Sequence, residues 1–263
     1  MANASIITAE LALAAFLTLN AIIGIRLLWL ASRTRERPEL YLGIGHLFGG
    51  ALGWALLFLG FLVGDPKTST LGLVLMVSGL ISLNIAHLAL ALFAWRVFNP
   101  ERRLLGVLFF TLVAVLGADF VHNGLIAREF APPAENFWYW PGAMARNLCW
   151  FWLTSSSFLY WRKLRRRLRI GLADPVAANR VFLLFLTSAL ITATALIVSS
   201  ASVLGIWAAH PHFMGSVSML LALPAVLFSW LAFIPPARYT DWIERRAQAQ
   251  AEVQAHIRAL VRK

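Results

Sequence analysis

Charged residues are scarce in this chain. Only 13% of its 263 residues are charged and 60% are hydrophobic, which gives a mean hydropathy of +0.72. Soluble domains usually carry about a quarter charged residues, so this chain has too few to cover a surface facing water. Because a spanning helix needs about 20 mostly apolar residues, the composition predicts an all-α, polytopic membrane protein.

Cysteine and lysine are also rare. The single cysteine, Cys149, excludes an intramolecular disulfide. The three lysines, at positions 67, 163 and 263, all fall outside the apolar segments of the sequence. A retinal Schiff base needs a buried lysine amine, so a retinal-linked protein is excluded. The phosphate-binding glycine loop, the Gly-x-Ser-x-Gly motif and the Cys-x-x-Cys motif are absent too, which favours a non-enzymatic role.

The apolar residues fall into seven segments. These cover residues 6–31, 41–63, 70–95, 103–126, 143–162, 178–207 and 213–234. Two of the breaks, Asn99-Pro100-Glu101 and Asp174-Pro175, are typical of a helix N-cap followed by proline in the first turn. The sequence therefore predicts a seven-helix transmembrane domain over residues 1–236. Residues 237–263 are predicted to form a cytoplasmic juxtamembrane amphipathic helix, which either lies on the inner leaflet or meets a partner protein.

The distribution of basic residues predicts the orientation. Nineteen of the 23 lysines and arginines lie in the C-terminal tail and in the loops on its side of the membrane. Lys67, Arg128 and Arg146 are assigned to the other side. This asymmetry places the N-terminus outside and the C-terminus in the cytoplasm, in a bacterial inner membrane. It explains the net charge of +11 without a nucleic-acid partner and implies contact with the anionic inner leaflet.

One basic run is denser than the others. It either anchors the chain to anionic lipid or contacts a cytoplasmic effector, and it comprises Arg162, Lys163, Arg165, Arg166, Arg167 and Arg169.

Ionisable groups inside a membrane are costly, so each marks a candidate site. The predicted topology places six polar residues in the outer half: Glu10, Asp119, His122, Asn123, His210 and His212. Asp119 and His122 are three residues apart and share a helix face. The set is predicted to bind a small ligand or lipid, or to form a proton relay. Alternatively, Asp119, His122, His210 and His212 bind zinc or another divalent metal, or Asp119 and His122 only bond each other.

Two histidines lie in the inner half on consecutive helices. His46 and His87 are candidates for axial ligands of a haem, or one of them for a pigment ligand, because consecutive helices usually pack together. The alternative is two buried histidines bonded to neighbours such as Asn84 or Arg26. Beside His46, the small-xxx-small pairs Gly45/Gly49 and Gly49/Gly53 predict close helix packing, although they could also make room for a flat ligand.

Two predicted inner loops carry a family resemblance. The stretches RTRERPELYLGIG (33–45) and LRIGLADPVAANR (168–180) resemble inner loops of largely uncharacterised bacterial seven-span membrane proteins. Some of those look like input regions of sensory proteins. The resemblance implies a receptor-like role in signal transduction and carries over no functional residue.

The leading hypothesis is therefore a non-enzymatic sensory or signal-coupling protein with a ligand or lipid site in the outer half. The alternatives are a haem- or pigment-binding electron-transfer protein, a metal-dependent membrane enzyme and an accessory subunit of a membrane complex.

Overall fold

The described part of the chain is helical almost throughout. The computed structural model describes the backbone of residues 2–128, 130, 139–209 and 211–261. It describes the side chains of these residues except 2–9, 207–208, 211–213, 216 and 250–261. The helices are α1 Ala2–Thr34, α2 Arg37–Ile44, α3 Trp54–Val63, α4 Thr70–Phe98, α5 Arg103–Asp119, α6 Tyr139–Leu168, α7 Pro175–Val203, α8 Ile206–Ala209, α9 Pro211–Phe233 and α10 Ala237–Val261. The all-α prediction is confirmed.

Two π-helical segments interrupt the α-helices of the described chain. The first π-segment, Gly45–Gly53, joins α2 to α3, and the second π-segment, Phe120–Ile126, continues α5. The π-helical turns lie in the predicted apolar segments 41–63 and 103–126, so each segment still forms one continuous helical unit. A helix covers most of every predicted apolar segment.

The helix boundaries confirm one of the two predicted N-caps. The Asp174 carboxylate accepts hydrogen bonds from the backbone N–H groups of Val176 and Ala177, with Pro175 in the first turn. Asn99 was expected to start α5, and that prediction is wrong. Its N–H instead donates to the carbonyl of Trp95 and so ends α4, and α5 begins at Arg103 after a turn over residues 99–102.

In the part of the chain that the structure describes, five helical stretches are long and apolar enough to cross a membrane: Glu10–Thr34, Arg37–Val63, Thr70–Phe98, Arg103–Ile126 and Pro175–Val203. A sixth results if Val217–Phe233 and Ala237–Ala249, bent by 76° at the Pro235-Pro236 break, count as one span. The chain thus has the helices of an integral membrane protein. The seven-span arrangement and the orientation of the termini stay predictions.

Helix α6 is long enough to span, at 30 residues, but is less apolar than the other spans. Arg146, Asn147 and the run Ser155–Ser157 lower its hydropathy. The helix packs against α4, α5 and α7, and Cys149, Leu153 and Ser157 on it are fully buried. Its polar residues therefore face other helices more than lipid, which explains how a bundle helix can carry them.

A glycine seam joins the first π-segment to α4. It consists of Gly45, Gly49 and Gly53, which pack on Leu90, Ala86 and Leu83 respectively. A Cβ atom added at Gly49 would lie 2.8 Å from the Cβ of Ala86, too close for two carbon atoms. The close packing predicted for this segment is confirmed.

We expect Gly49→Ala to lower the free energy of unfolding by about 1–3 kcal/mol, because the rigid Ala86 methyl cannot move aside. Gly117→Ala is the matched control, since Gly117 on α5 has nothing within 4 Å of its added Cβ. That control should be neutral or stabilising by about 0.5–1 kcal/mol. Unfolding in one mild detergent measures the free energy of unfolding of both variants. Equal effects of the two substitutions would contradict close packing at the glycine seam.

Candidate functional site

A buried ion pair lies between α5 and α6. Arg146 Nη1 is 2.8 Å from Asp119 Oδ2, and the side chains of Arg146 and Asp119 are 16% and 2% exposed. Removing such charges from water costs several kcal/mol per ion unless each is paired and hydrogen-bonded. The two residues therefore depend on each other to be buried at this place.

Local backbone structure positions the Asp119 carboxylate. Asp119 ends α5, and the second π-segment places Asn123 so that its Nδ2 donates to Asp119 Oδ1 at 2.8 Å. Each carboxylate oxygen thus has a donor. On α6, Gly142 faces this carboxylate, and an added Cβ there would overlap its atoms. The ion pair forms because a residue without a side chain lets α6 approach Asp119.

A third helix contributes an amide. Asn84 on α4 accepts a hydrogen bond from Arg146 Nη1 at 3.3 Å and donates through Nδ2 to the carbonyl of Leu116 at 3.4 Å. Arg146 is consequently held by α4 and α5 together. We call Asn84, Asp119, His122, Asn123 and Arg146 the Asp119 cluster.

The structure brings together three of the six residues predicted to bind a ligand. Asp119 and Asn123 are bonded as above, and His122 Nδ1 lies 3.1 Å from Asn123 Oδ1. Glu10 is exposed on α1, and the described hydrogen bonds of the Asp119 cluster do not include it. His210 lies outside the described residues, as does the side chain of His212. Ligand binding by this set stays a prediction.

The predicted metal site falls partly outside the described chain. Among the residues that the structure describes, no group of three or more His, Cys, Asp and Glu side chains could hold a metal ion. Arg146 and Asn123 already donate to the two oxygens of Asp119, and a metal at this carboxylate would have to displace one of them. Metal binding through His210 and His212 stays a prediction.

Sequence reasoning missed two members of the cluster. Arg146 was assigned to the outer side of the membrane and Asn84 only to the surroundings of His87. A signal was present for Arg146, because it lies inside the predicted segment 143–162 and, in the predicted topology, in the same half of the membrane as Asp119. Opposite charges buried in one leaflet are expected to pair.

His46 and His87 have different neighbours. His46 Nδ1 is 2.8 Å from Asn20 Oδ1 of α1, and its ring packs edge-on against Phe233 of α9 at a centroid distance of 6.1 Å. His87 Nδ1 is 2.6 Å from the carbonyl of Leu83, and its ring packs edge-on against Trp150 of α6. The partners are thus not the expected Asn84 and Arg26.

A groove of about 550 Å³ lies between α6 and α7. Trp140, Ala143, Met144, Asn147, Leu148, Phe151, Thr192, Leu196, Ser199, Ser200 and Val203 line it. Asn147 donates to Ser199 Oγ at 2.9 Å, and the hydroxyls of Thr154 and Thr192 lie 2.9 Å apart. The groove thus combines aromatic and aliphatic walls with a few polar groups, as ligand sites usually do.

The basic run lies at the far end of α6 and is exposed. The guanidinium of Arg162 lies 5.8 Å from the ring centre of Phe158, and that of Arg165 lies 5.5 Å from that of Trp161. These cation–π contacts keep the long side chains against the helix while their charges face outward.

Comparison with known proteins gives no match: no family model, no curated protein and no solved structure is significantly similar to this chain.

We expect Asp119→Asn and Arg146→Gln each to lower the free energy of unfolding by about 3–5 kcal/mol, because each leaves the other charge buried and unpaired. The double variant should lose less than the sum of the two. Reversible unfolding in mixed detergent micelles measures the free energy of unfolding of the wild type, both single variants and the double variant. Arg26→Gln, at an exposed arginine on α1, should change stability by no more than about 0.5 kcal/mol. Additive single effects would show that the pair does not couple.

The absorption spectrum of protein purified in mild detergent tests the haem or pigment hypothesis. We expect no Soret band from a haem shared by the two histidines, because their helices pack closely along the glycine seam and the His46 and His87 rings contact Phe233 and Trp150 respectively, whereas two axial ligands must face one iron. A Soret or pigment band lost in both His46→Ala and His87→Ala would contradict this expectation.

Proposed function

We propose that this chain is a seven-span sensory or signal-coupling protein of a bacterial inner membrane, with its N-terminus outside and its C-terminus in the cytoplasm. It takes a lipid or another small amphipathic ligand into the groove between α6 and α7 and relays a shift of α6 to the cytoplasmic surface. The observation that carries the proposal is the arrangement of functional groups along α6.

Helix α6 connects the two membrane surfaces in this arrangement. Its 30 residues extend about 45 Å at 1.5 Å per residue. One face of its outer half lines the groove through Ala143, Asn147 and Phe151, and Arg146 pairs with Asp119 on α5. Its other end carries the exposed basic run. A movement of α6 that starts at the groove therefore reaches the basic run through one continuous helix.

The groove suits an amphipathic ligand. Its volume falls within the roughly 300–1,000 Å³ typical of ligand sites. Met144, Phe151 and Leu196 on its walls are more than half exposed, so an alkyl chain in the groove would cover apolar surface. The Asn147–Ser199 hydrogen bond offers a polar head an amide and a hydroxyl.

The ion pair stabilises one position of α6, which a two-state switch requires. A ligand shifts a protein only if it binds one arrangement better than another. Arg146 is held by Asp119 and Asn84. A ligand that rotates or tilts α6 has to work against these bonds, so the ion pair fixes the resting position of the helix.

The predicted orientation supports the direction of coupling. The excess of lysine and arginine predicts that the basic run and α10 lie in the cytoplasm, and in that orientation the groove and the Asp119 cluster lie in the outer half. Tyr239 on α10 accepts a hydrogen bond from Asn179 on α7 at 3.0 Å. The tail helix is thereby attached to the helix that forms the other wall of the groove.

A photoactivatable diazirine fatty acid tests ligand binding at the groove. We expect ultraviolet illumination to attach it to residues on α6 and α7, and Ser200→Phe to reduce that labelling several-fold by filling the groove. Peptide mass spectrometry measures the labelled positions. The matched control is Ile197→Phe, which adds a ring to an exposed α7 residue that does not line the groove. Equal labelling of both variants would contradict a groove site.

Spin labels test the coupling in the same protein. In a Cys149→Ser background, labels at Arg167→Cys and Arg180→Cys, both exposed positions, report the distance between the cytoplasmic ends of α6 and α7. The fatty acid should change this distance in the otherwise unaltered groove and not in the Ser200→Phe variant. Labelling without any distance change would leave a lipid-binding protein and remove the signalling role.

A further inference from the structure

A second cavity, separate from the groove, lies near the basic end of α6. It occupies about 330 Å³ where the turn between α4 and α5 meets α6, at the low end of the range for ligand sites. Four cationic side chains line it: Arg102, Arg162, Lys163 and Arg166. No carboxylate is among the described residues that line it.

The fold explains why these four cations meet. Positions 162, 163 and 166 share one face of α6, whereas Arg165 and Arg167 on the same helix do not line the cavity. Arg102 comes from the turn that closes when Asn99 ends α4, since its N–H donates to the Asn99 carbonyl. The cavity thus selects one face of the basic run and adds a cation from another part of the chain.

Polar groups without charge complete the interior of the cavity. Asn99 Nδ2 donates to Ser156 Oγ at 3.2 Å, which ties the turn to α6. The Tyr160 ring lies against Phe98 at a centroid distance of 5.1 Å. Phosphate oxygens accept hydrogen bonds from hydroxyl and guanidinium groups, and an arginine can donate two parallel N–H bonds to one phosphate.

The rim of the cavity is apolar on one side. Leu159 lines it and is 56% exposed. A soluble phosphate compound has no apolar part to cover such a surface, whereas the glycerol and first methylenes of a phospholipid would pack against it. Basic pockets between helices on the cytoplasmic side are typical binding places for anionic lipid headgroups.

We infer that this cavity binds the phosphate of an anionic phospholipid headgroup, with Arg102, Arg162, Lys163 and Arg166 as its cationic partners. The inference does not depend on the groove between α6 and α7, because the two sites are lined by different residues.

Two triple variants with equal loss of charge test the inference. The cavity variant carries Arg102→Gln, Arg162→Gln and Arg166→Gln, and the control carries Arg103→Gln, Arg165→Gln and Arg167→Gln. All six arginines are exposed, so both variants should fold. Full-length protein in mild detergent is titrated with phosphatidylglycerol, and native mass spectrometry counts the bound lipid. We expect about tenfold weaker binding or more in the cavity variant and a change within about twofold in the control.

Each other outcome would overturn the inference. Equal weakening in both triple variants would show diffuse attraction to the basic surface rather than a site. If inorganic phosphate or pyrophosphate binds and phosphatidylglycerol does not, the cavity takes a soluble anion. Two single variants repeat the comparison with one charge removed: Arg166→Gln changes a cavity residue and Arg167→Gln a residue outside the cavity. They test the lipid site even if a triple variant cannot be purified.

Discussion

The Asp119–Arg146 ion pair is the constraint on which the packing of α4, α5 and α6 depends. Two opposite charges inside an apolar bundle are tolerated only when they meet and their remaining polar atoms are bonded. That requirement explains the glycine at position 142, the amides of Asn84 and Asn123, and the tolerance of a helix as polar as α6 among more apolar neighbours. One interaction therefore sets the relative position of three helices.

The sequence predicts the helices well because apolar length and turn residues are local properties. The seven apolar segments and the cap at Asp174 are examples. The close approach at Gly49 was also predictable, since small residues four apart lie on one face. The partner of Asp119 was predictable only as a basic residue of the same predicted leaflet, because the pairing itself depends on which helices are neighbours. Arg146 near a predicted segment end is equally consistent with a solvated residue and a buried one, and only the position of α5 decides between them.

The two π-segments could not be predicted from the spacing of apolar residues along the sequence. A π-helix differs from an α-helix by pairing each backbone carbonyl with the N–H five residues on instead of four, and over a few residues this hardly changes the apolar pattern. Each π-segment carries polar side chains of the bundle interior: the half-buried His46 lies in the first, and the half-buried His122 and the buried Asn123 lie in the second. A wider turn changes the direction in which the following side chains point, and such turns are frequent at functional sites. In the second segment, Asn123 donates to Asp119, which lies four residues earlier.

A buried ion pair is weak support for stability, because apolar residues of similar volume often replace one without loss. Its more specific effect is on register. Apolar side chains allow α6 to slide or rotate in small steps, whereas a pair joined at 2.8 Å and fixed by two amides allows one position. The proposed relay through α6 requires a defined resting position of that helix, which the ion pair would set. The pair thus fixes the packing of α4, α5 and α6, and the proposed coupling through α6 would use the register that this packing sets.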